Sequence, residues 1–162
     1  MNFLIALGLV VLVIVGSVVW IRPSPRDKKL ANWRRDALVA GLKVKLEGFK
    51  ADPKKSGIRD DIEGATYQLF NSAPDKHDKL TWAVVLDEGW LKDDLPEGWS
   101  WYKERANDDL VAKIAEQIKK APLEILGIER TPFMSRIVWT EPGKNFNAQV
   151  LKQFLQEVQD IA

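Results

Sequence analysis

One uninterrupted apolar run near the N-terminus constrains this 162-residue chain more than any other feature. The run extends from Phe3 to Ile21 and contains no ionisable side chain. At ~1.5 Å per helical residue, its ~19 positions reach roughly the ~30 Å thickness of the hydrocarbon core of a bilayer. The run therefore predicts a single transmembrane helix to which the rest of the chain is tethered.

Charges that follow the run predict its orientation. A cleaved signal peptide would begin with Lys or Arg, but the positive side chains near the run all come after it: Arg22, Arg26, Lys28, Lys29, Arg34 and Arg35. Because positive residues stay on the cytoplasmic side, we predict an uncleaved signal anchor over residues 1–22 with its N-terminus outside. The predicted location is a bacterial-type inner (plasma) membrane, with residues 42–162 forming a cytoplasmic domain.

A basic amphipathic juxtamembrane helix is predicted over residues 23–41. Ser24 suits its N-cap, Pro25 its first position and Gly41 its C-terminal cap. Two interpretations remain open: the helix lies on anionic headgroups, or it packs on the domain. On the first, the membrane anchor and interface consist of Trp20, Arg22, Arg26, Lys28, Lys29, Trp33, Arg34 and Arg35.

The remaining residues predict an α+β domain. Alternating or continuous apolar patterns predict five strands, over residues 42–46, 65–70, 80–86, 123–128 and 134–140. Two amphipathic helices are predicted, one after Asn107 and one at the C-terminus. Short polar turns separate most of these elements, so we expect a mostly antiparallel sheet of about five strands that the two helices cover on one face.

An acidic and aromatic stretch, residues 87–102, is the strongest candidate for a partner surface. Its candidate residues are Trp90, Asp93, Asp94, Glu97, Trp99, Trp101 and Tyr102. Aromatic side chains supply contact area and carboxylates steer basic partners. The alternative is that the tryptophans belong to the core and the glycines make turns.

Other chemistry has little support in the sequence. The chain has no cysteine and a single histidine, His77, in a polar segment. Neither a nucleophile elbow nor a phosphate-binding loop is present, and the carboxylate pairs lack calcium-loop spacing. We therefore predict no catalytic residue, no metal site, no cofactor and no nucleic-acid partner.

The first ~48 residues resemble the YajC family, the small single-pass accessory subunit of the bacterial preprotein translocase. The resemblance lies in the apolar run ending in Ile21-Arg22-Pro23, the basic helix after it, and the spacing of Gly41, Val44 and Gly48. It implies an accessory role in a membrane complex rather than an enzymatic one.

These features predict a non-enzymatic, single-pass membrane-anchored interaction protein that serves a larger inner-membrane complex. Its expected partners are the membrane, through anionic headgroups, and a protein of that complex. One alternative is a membrane-surface module that senses anionic lipids or another ligand. A further alternative is a membrane-anchored enzyme that acts through the acidic stretch.

Overall fold

A computed structural model describes residues 2–20, 24–121, 124–141 and 147–161. The helices and strands in these ranges are α1 (Asn2–Trp20), α2 (Pro25–Val39), β1 (Lys43–Lys45), β2 (Ala65–Phe70), β3 (Trp82–Leu86), β4 (Trp99–Trp101), α3 (Asp108–Lys119), β5 (Ile125–Thr131), β6 (Met134–Trp139) and α4 (Ala148–Gln159). The chain divides into two compact units, Met1–Asn32 and Trp33–Ala162.

The first unit contains α1, and it overturns the predicted membrane anchor. Among the residues that the structure describes, no helix combines the length and the apolar character needed to cross a bilayer. The transmembrane signal anchor over residues 1–22, the single-pass topology and the inner-membrane location with a cytoplasmic domain are therefore wrong as predictions.

Short polar contacts fix both ends of α2. At its start, the backbone N–H of Asp27 donates to Ser24 Oγ at 3.2 Å, and the Ser24 N–H donates to Asp27 Oδ2 at 3.0 Å. This reciprocal pair is a capping box. The hydrogen bonds from Ser24 hold the pKa of the Asp27 carboxyl below its usual range. At the other end, Gly41 has a φ of +90°, and the N–H of Leu42 donates to the carbonyl of Ala37 at 2.9 Å, which closes the helix.

Within the described residues, six strands form one sheet in the order β1-β2-β6-β5-β3-β4, and every neighbouring pair is antiparallel. The predicted α+β class therefore applies to the domain, with six strands in place of about five. The extra strand is β4, which pairs with β3 and forms one edge of the sheet.

Alternate residues of the strands face two separate cores. On the helix side, buried aromatic and branched side chains of the strands, including Tyr67, Trp82 and Trp139, pack in one cluster with buried residues of α3 and α4. Asn147 caps α4 by accepting the N–H groups of Gln149 and Val150. Both helices thus bury one apolar side against this face of the sheet.

A long connection between β1 and β2 covers the opposite face. Phe49, Ile58 and Ile62 from this connection pack against Val85 and Val138 of the sheet, among others. Phe49 pairs with Ile62 by reciprocal backbone hydrogen bonds of 3.1 and 2.9 Å. The sheet is therefore buried on both faces, by helices on one side and by the 46–64 connection on the other.

Candidate functional site

The fold divides the aromatic stretch between core and surface. Trp99 and Trp101 lie in β4 and are buried in the core on the helix side of the sheet. Tyr102 is half-buried beside the other core. Trp90, in contrast, is 64% exposed. The interpretation of these residues as core therefore holds for Trp99 and Trp101, whereas Trp90 lies at the surface.

Backbone contacts hold Trp90 in place. Its N–H donates to the carbonyl of Ser56 at 2.8 Å, and the carbonyl of the next residue, Leu91, accepts the N–H of Trp101 at 2.8 Å. The indole lies against Gly57, where a Cβ atom would come within 2.7 Å of Cγ and Nε1 of the ring. An exposed tryptophan is thus fixed on a supported loop beside the edge strand β4.

Exposed apolar and acidic side chains precede and follow this tryptophan along the chain. Leu86 and Leu91 lie within four residues of it in sequence and are exposed, and the exposed Asp93 and Glu97 follow on the same stretch. Asp93 and Glu97 form no ion pair within the parts of the chain that the structure describes. We call Leu86, Trp90, Leu91, Asp93 and Glu97 together the Trp90 surface.

Two other acidic residues of the stretch are already engaged. Asp94, a predicted member of the partner surface, accepts a hydrogen bond from Arg105 Nη2 at 2.9 Å and has a φ of +63°. Glu88 lies 3.6 Å from the ammonium group of Lys92. These pairs leave Asp93 and Glu97 as the carboxylates best placed to meet a cation from outside.

An open cavity of about 660 Å³ adjoins the Trp90 surface at Leu91. Its lining consists of Asp52, Lys55, Thr81, Leu91, Tyr102, Lys103 and Glu104. The cavity volume is within the range of sites for small ligands or side chains. Because the lining carries both positive and negative groups, the cavity has no strong preference for a simple anion or cation.

Tyr102 forms a fixed wall of the cavity. Its hydroxyl donates to the carbonyl of Lys50 at 2.9 Å, and its ring lies 4.8 Å from the ring of Phe49, centroid to centroid. Burial raises the pKa of the Tyr102 phenol, and the nearby negative charges of Asp52 and Glu129 raise it further. The phenol therefore remains a neutral hydrogen-bond donor at physiological pH.

A buried ion cluster lies behind this wall. Glu129 of β5 is buried and accepts hydrogen bonds from Lys103 and from Arg136 of β6. The Arg136 guanidinium also lies 4.8 Å from the centroid of the Phe49 ring. Since the carboxylate has two cationic partners, the cluster is satisfied, and it fastens the 46–64 connection to the sheet.

The predicted membrane-interface residues separate into three groups. Trp33 stacks on Trp139 at 5.9 Å, and Arg34 Nε donates at 2.9 Å to Glu141, which also accepts the Tyr67 hydroxyl at 2.7 Å. Burial, and then the Glu141 carboxylate, raise the pKa of Tyr67. Exposed residues of α2 form the second group, Arg26, Lys28, Lys29 and Arg35. Arg22 and the side chain of Trp20 lie outside the described residues.

The described residues bring together no cluster of metal-ligating side chains. His77 is exposed in the β2–β3 connection. No group of three or more His, Cys, Asp or Glu residues that could hold a metal ion occurs among the described residues. Asp78 instead forms an ion pair with the buried Arg130, whose guanidinium also donates to the carbonyl of Leu80 at 2.7 Å.

Sequence reasoning missed Glu129, Arg136, Glu141 and the cavity. A usable signal existed for Arg136, because it is a charged residue followed by three apolar residues in a predicted strand. Such a residue needs a partner when the strand is buried on both faces.

Comparisons with protein-family models, with curated proteins and with solved structures found no match to this chain.

Proposed function

We propose that this protein is a non-enzymatic interaction module that binds a basic segment of a partner through the Trp90 surface. The observation that carries the proposal is the exposure of Trp90 on a fixed support, in a segment that also exposes two carboxylates without an ion pair in the described chain. An accessory subunit of a larger assembly is the role that best suits such a module.

The chemistry of the surface favours a basic partner. Tryptophan is enriched among the residues that dominate binding energy at protein interfaces. Its ring face also attracts Lys and Arg side chains. Asp93 and Glu97 add negative charge at the rim, where it steers association and selects partners more than it adds affinity. The adjoining cavity offers Leu91 and Tyr102 as contacts for an aliphatic stem.

Selection from a random peptide library displayed on phage, with the full-length protein as bait, tests the proposal. We expect the enriched peptides to be rich in Lys or Arg. Synthetic copies should bind the Trp90→Ala variant at least tenfold more weakly, a loss of ~1.4 kcal/mol or more. Peptides with no excess of basic residues would contradict the proposal.

Phe133 offers a matched control. It lies in the β5–β6 turn and is 65% exposed, close to the 64% exposure of Trp90. Phe133→Ala therefore removes a similarly exposed aromatic ring from another part of the surface, and it should leave peptide binding unchanged. Equal losses in the two variants would mean that the peptides bind exposed aromatic rings without preference for the Trp90 surface.

A ligand-sensing role is the second candidate, because the 660 Å³ cavity could hold a small molecule. Thr81→Trp would fill the cavity from a residue outside the Trp90 surface. Peptide binding that survives this change and is lost in Trp90→Ala favours the interaction module. A small-molecule screen that finds a ligand displaced by Thr81→Trp alone favours the sensing role.

A further inference from the structure

We propose that the basic segment bound by the Trp90 surface is helix α2 of a second copy of this chain, so that copies associate head to tail. This inference rests on the proposed function and adds the identity of the partner. It follows from the distribution of charge along the chain and from the position of the cations in α2.

The chain carries two segments of opposite charge. Residues 22–55 contain eleven Lys or Arg and four Asp or Glu, a balance of +7, whereas residues 87–109 contain eight acids and three bases, a balance of −5. The acidic segment includes the Trp90 surface, and the basic one includes α2. Each copy therefore offers both halves of a complementary pair.

The cations of α2 are in an unfavourable position for their own helix. Arg26 and Lys28 lie in the first two turns of α2 and are exposed. Positive charge near a helix N-terminus opposes the helix macrodipole. These residues therefore do not stabilise α2, and their clustering is better explained by a partner that carries negative charge.

The acidic residue among these cations is occupied. Asp27 accepts hydrogen bonds from the N–H of Ser24 at 3.0 Å and from its hydroxyl at 2.7 Å. Its carboxylate thus serves the capping box, and the exposed cations around it give the start of α2 a positive surface. A guanidinium from this surface suits the face of the Trp90 indole, and an ammonium suits Asp93 or Glu97.

An interface between two unlike surfaces has a predictable consequence for assembly. A copy that is bound through its Trp90 surface still presents its own α2 to another copy, so association ends as a reciprocal pair or a larger ring, or continues as a filament. We therefore expect assemblies of two or more copies of the 18.4 kDa chain. Because charge carries the contact, association should weaken as salt screens it.

Reciprocal charge reversal in the full-length chain tests this inference. One variant carries Asp93→Lys and Glu97→Lys, and the other carries Arg26→Glu and Lys28→Glu. Sedimentation in a nonionic detergent, which covers the apolar side chains of α1, should show assembly of the wild type and single chains for each variant. Mixing the two variants should restore assembly, because each then offers the surface that the other lacks.

Matched variants separate this contact from other causes. Asp60→Lys with Glu63→Lys, and Lys76→Glu with Lys79→Glu, change the net charge equally at exposed positions elsewhere and should assemble like the wild type. All variants keep α1, so assembly that persists in every one of them would overturn the inference. Failure of the mixture to reassemble would overturn it as well.

The result also separates this inference from the proposed function. If the chain stays monomeric while its Trp90 surface still binds basic peptides, a second copy is refuted as the partner, and the proposed function as an interaction module still stands. If Trp90→Ala and the acidic reversals change neither assembly nor the binding of basic peptides, both proposals are refuted.

Discussion

Replacing Gly57 with alanine tests whether the contact between Gly57 and the indole holds Trp90 in its position. Gly57 has a φ of +82°, a left-handed conformation that costs a residue with a Cβ atom about 1 kcal/mol or more. The new methyl group would also lie within 2.7 Å of three atoms of the Trp90 indole, so the ring has to move away.

The size of the second effect follows from the burial of the ring. Trp90 is 64% exposed, so about a third of a surface of ~250 Å² is buried, or roughly 90 Å². At ~25 cal/mol per Å², loss of this contact costs up to about 2 kcal/mol. We therefore expect Gly57→Ala to lower the free energy of unfolding by about 3 kcal/mol in total.

Gly98 supplies the matched control. Its φ is +81°, but a Cβ atom there would meet only Leu86 Cδ1 at 3.4 Å, an ordinary contact. Gly98→Ala should therefore cost about 1 kcal/mol, from the backbone alone. Urea unfolding monitored by far-UV circular dichroism measures both changes, and peptide binding should be lost in Gly57→Ala only.

A double-mutant cycle of Gly57→Ala and Trp90→Ala tests whether the extra cost at Gly57 comes from the indole. Once the indole is removed, Gly57→Ala should cost no more than Gly98→Ala. An equal cost for the two glycine variants in the wild-type background would refute the proposed support of Trp90. The same refutation follows if the extra cost at Gly57 persists without the indole.

Two further predictions concern buried charges. Glu129→Gln removes the negative charge between two cations and should lower the free energy of unfolding by about 3 kcal/mol. Glu104→Gln, at the exposed cavity rim, should change that free energy little. Equal effects of the two substitutions in urea unfolding would contradict the role of the Glu129 charge. The ion pair with Arg130 lowers the pKa of Asp78, so its stabilisation is complete above the unfolded-state pKa of ~3.9 and is lost as pH falls through the lower folded-state value. Asp78→Asn should therefore flatten the acid side of the stability profile below about pH 4, and an unchanged slope would show that the pair is not linked to folding.

Local sequence patterns determined most of the helices and strands of the domain. The apolar segment from Trp82 to Leu86 forms β3, a strand inside the sheet. The two amphipathic patterns in the C-terminal half of the chain form α3 and α4. These elements follow from hydrophobic periodicity because each buries a continuous face. β4 was missed because its three residues lie in a stretch rich in Gly and Pro, and only pairing with β3 makes it a strand.

The N-terminal run shows where composition alone misleads. Its apolar residues predicted a membrane span, yet no helix in the described chain is long and apolar enough for one.

The composition of residues 87–102 determined that an acidic and aromatic partner surface was possible, and tertiary structure decided which residues form it. Trp99 and Trp101 share a strand face because side chains alternate along a strand, and pairing with β3 turns that face toward the core. Trp90 lies on a loop that the distant Ser56 and Gly57 support. No local pattern encodes that contact, because it depends on the 46–64 connection folding across the sheet.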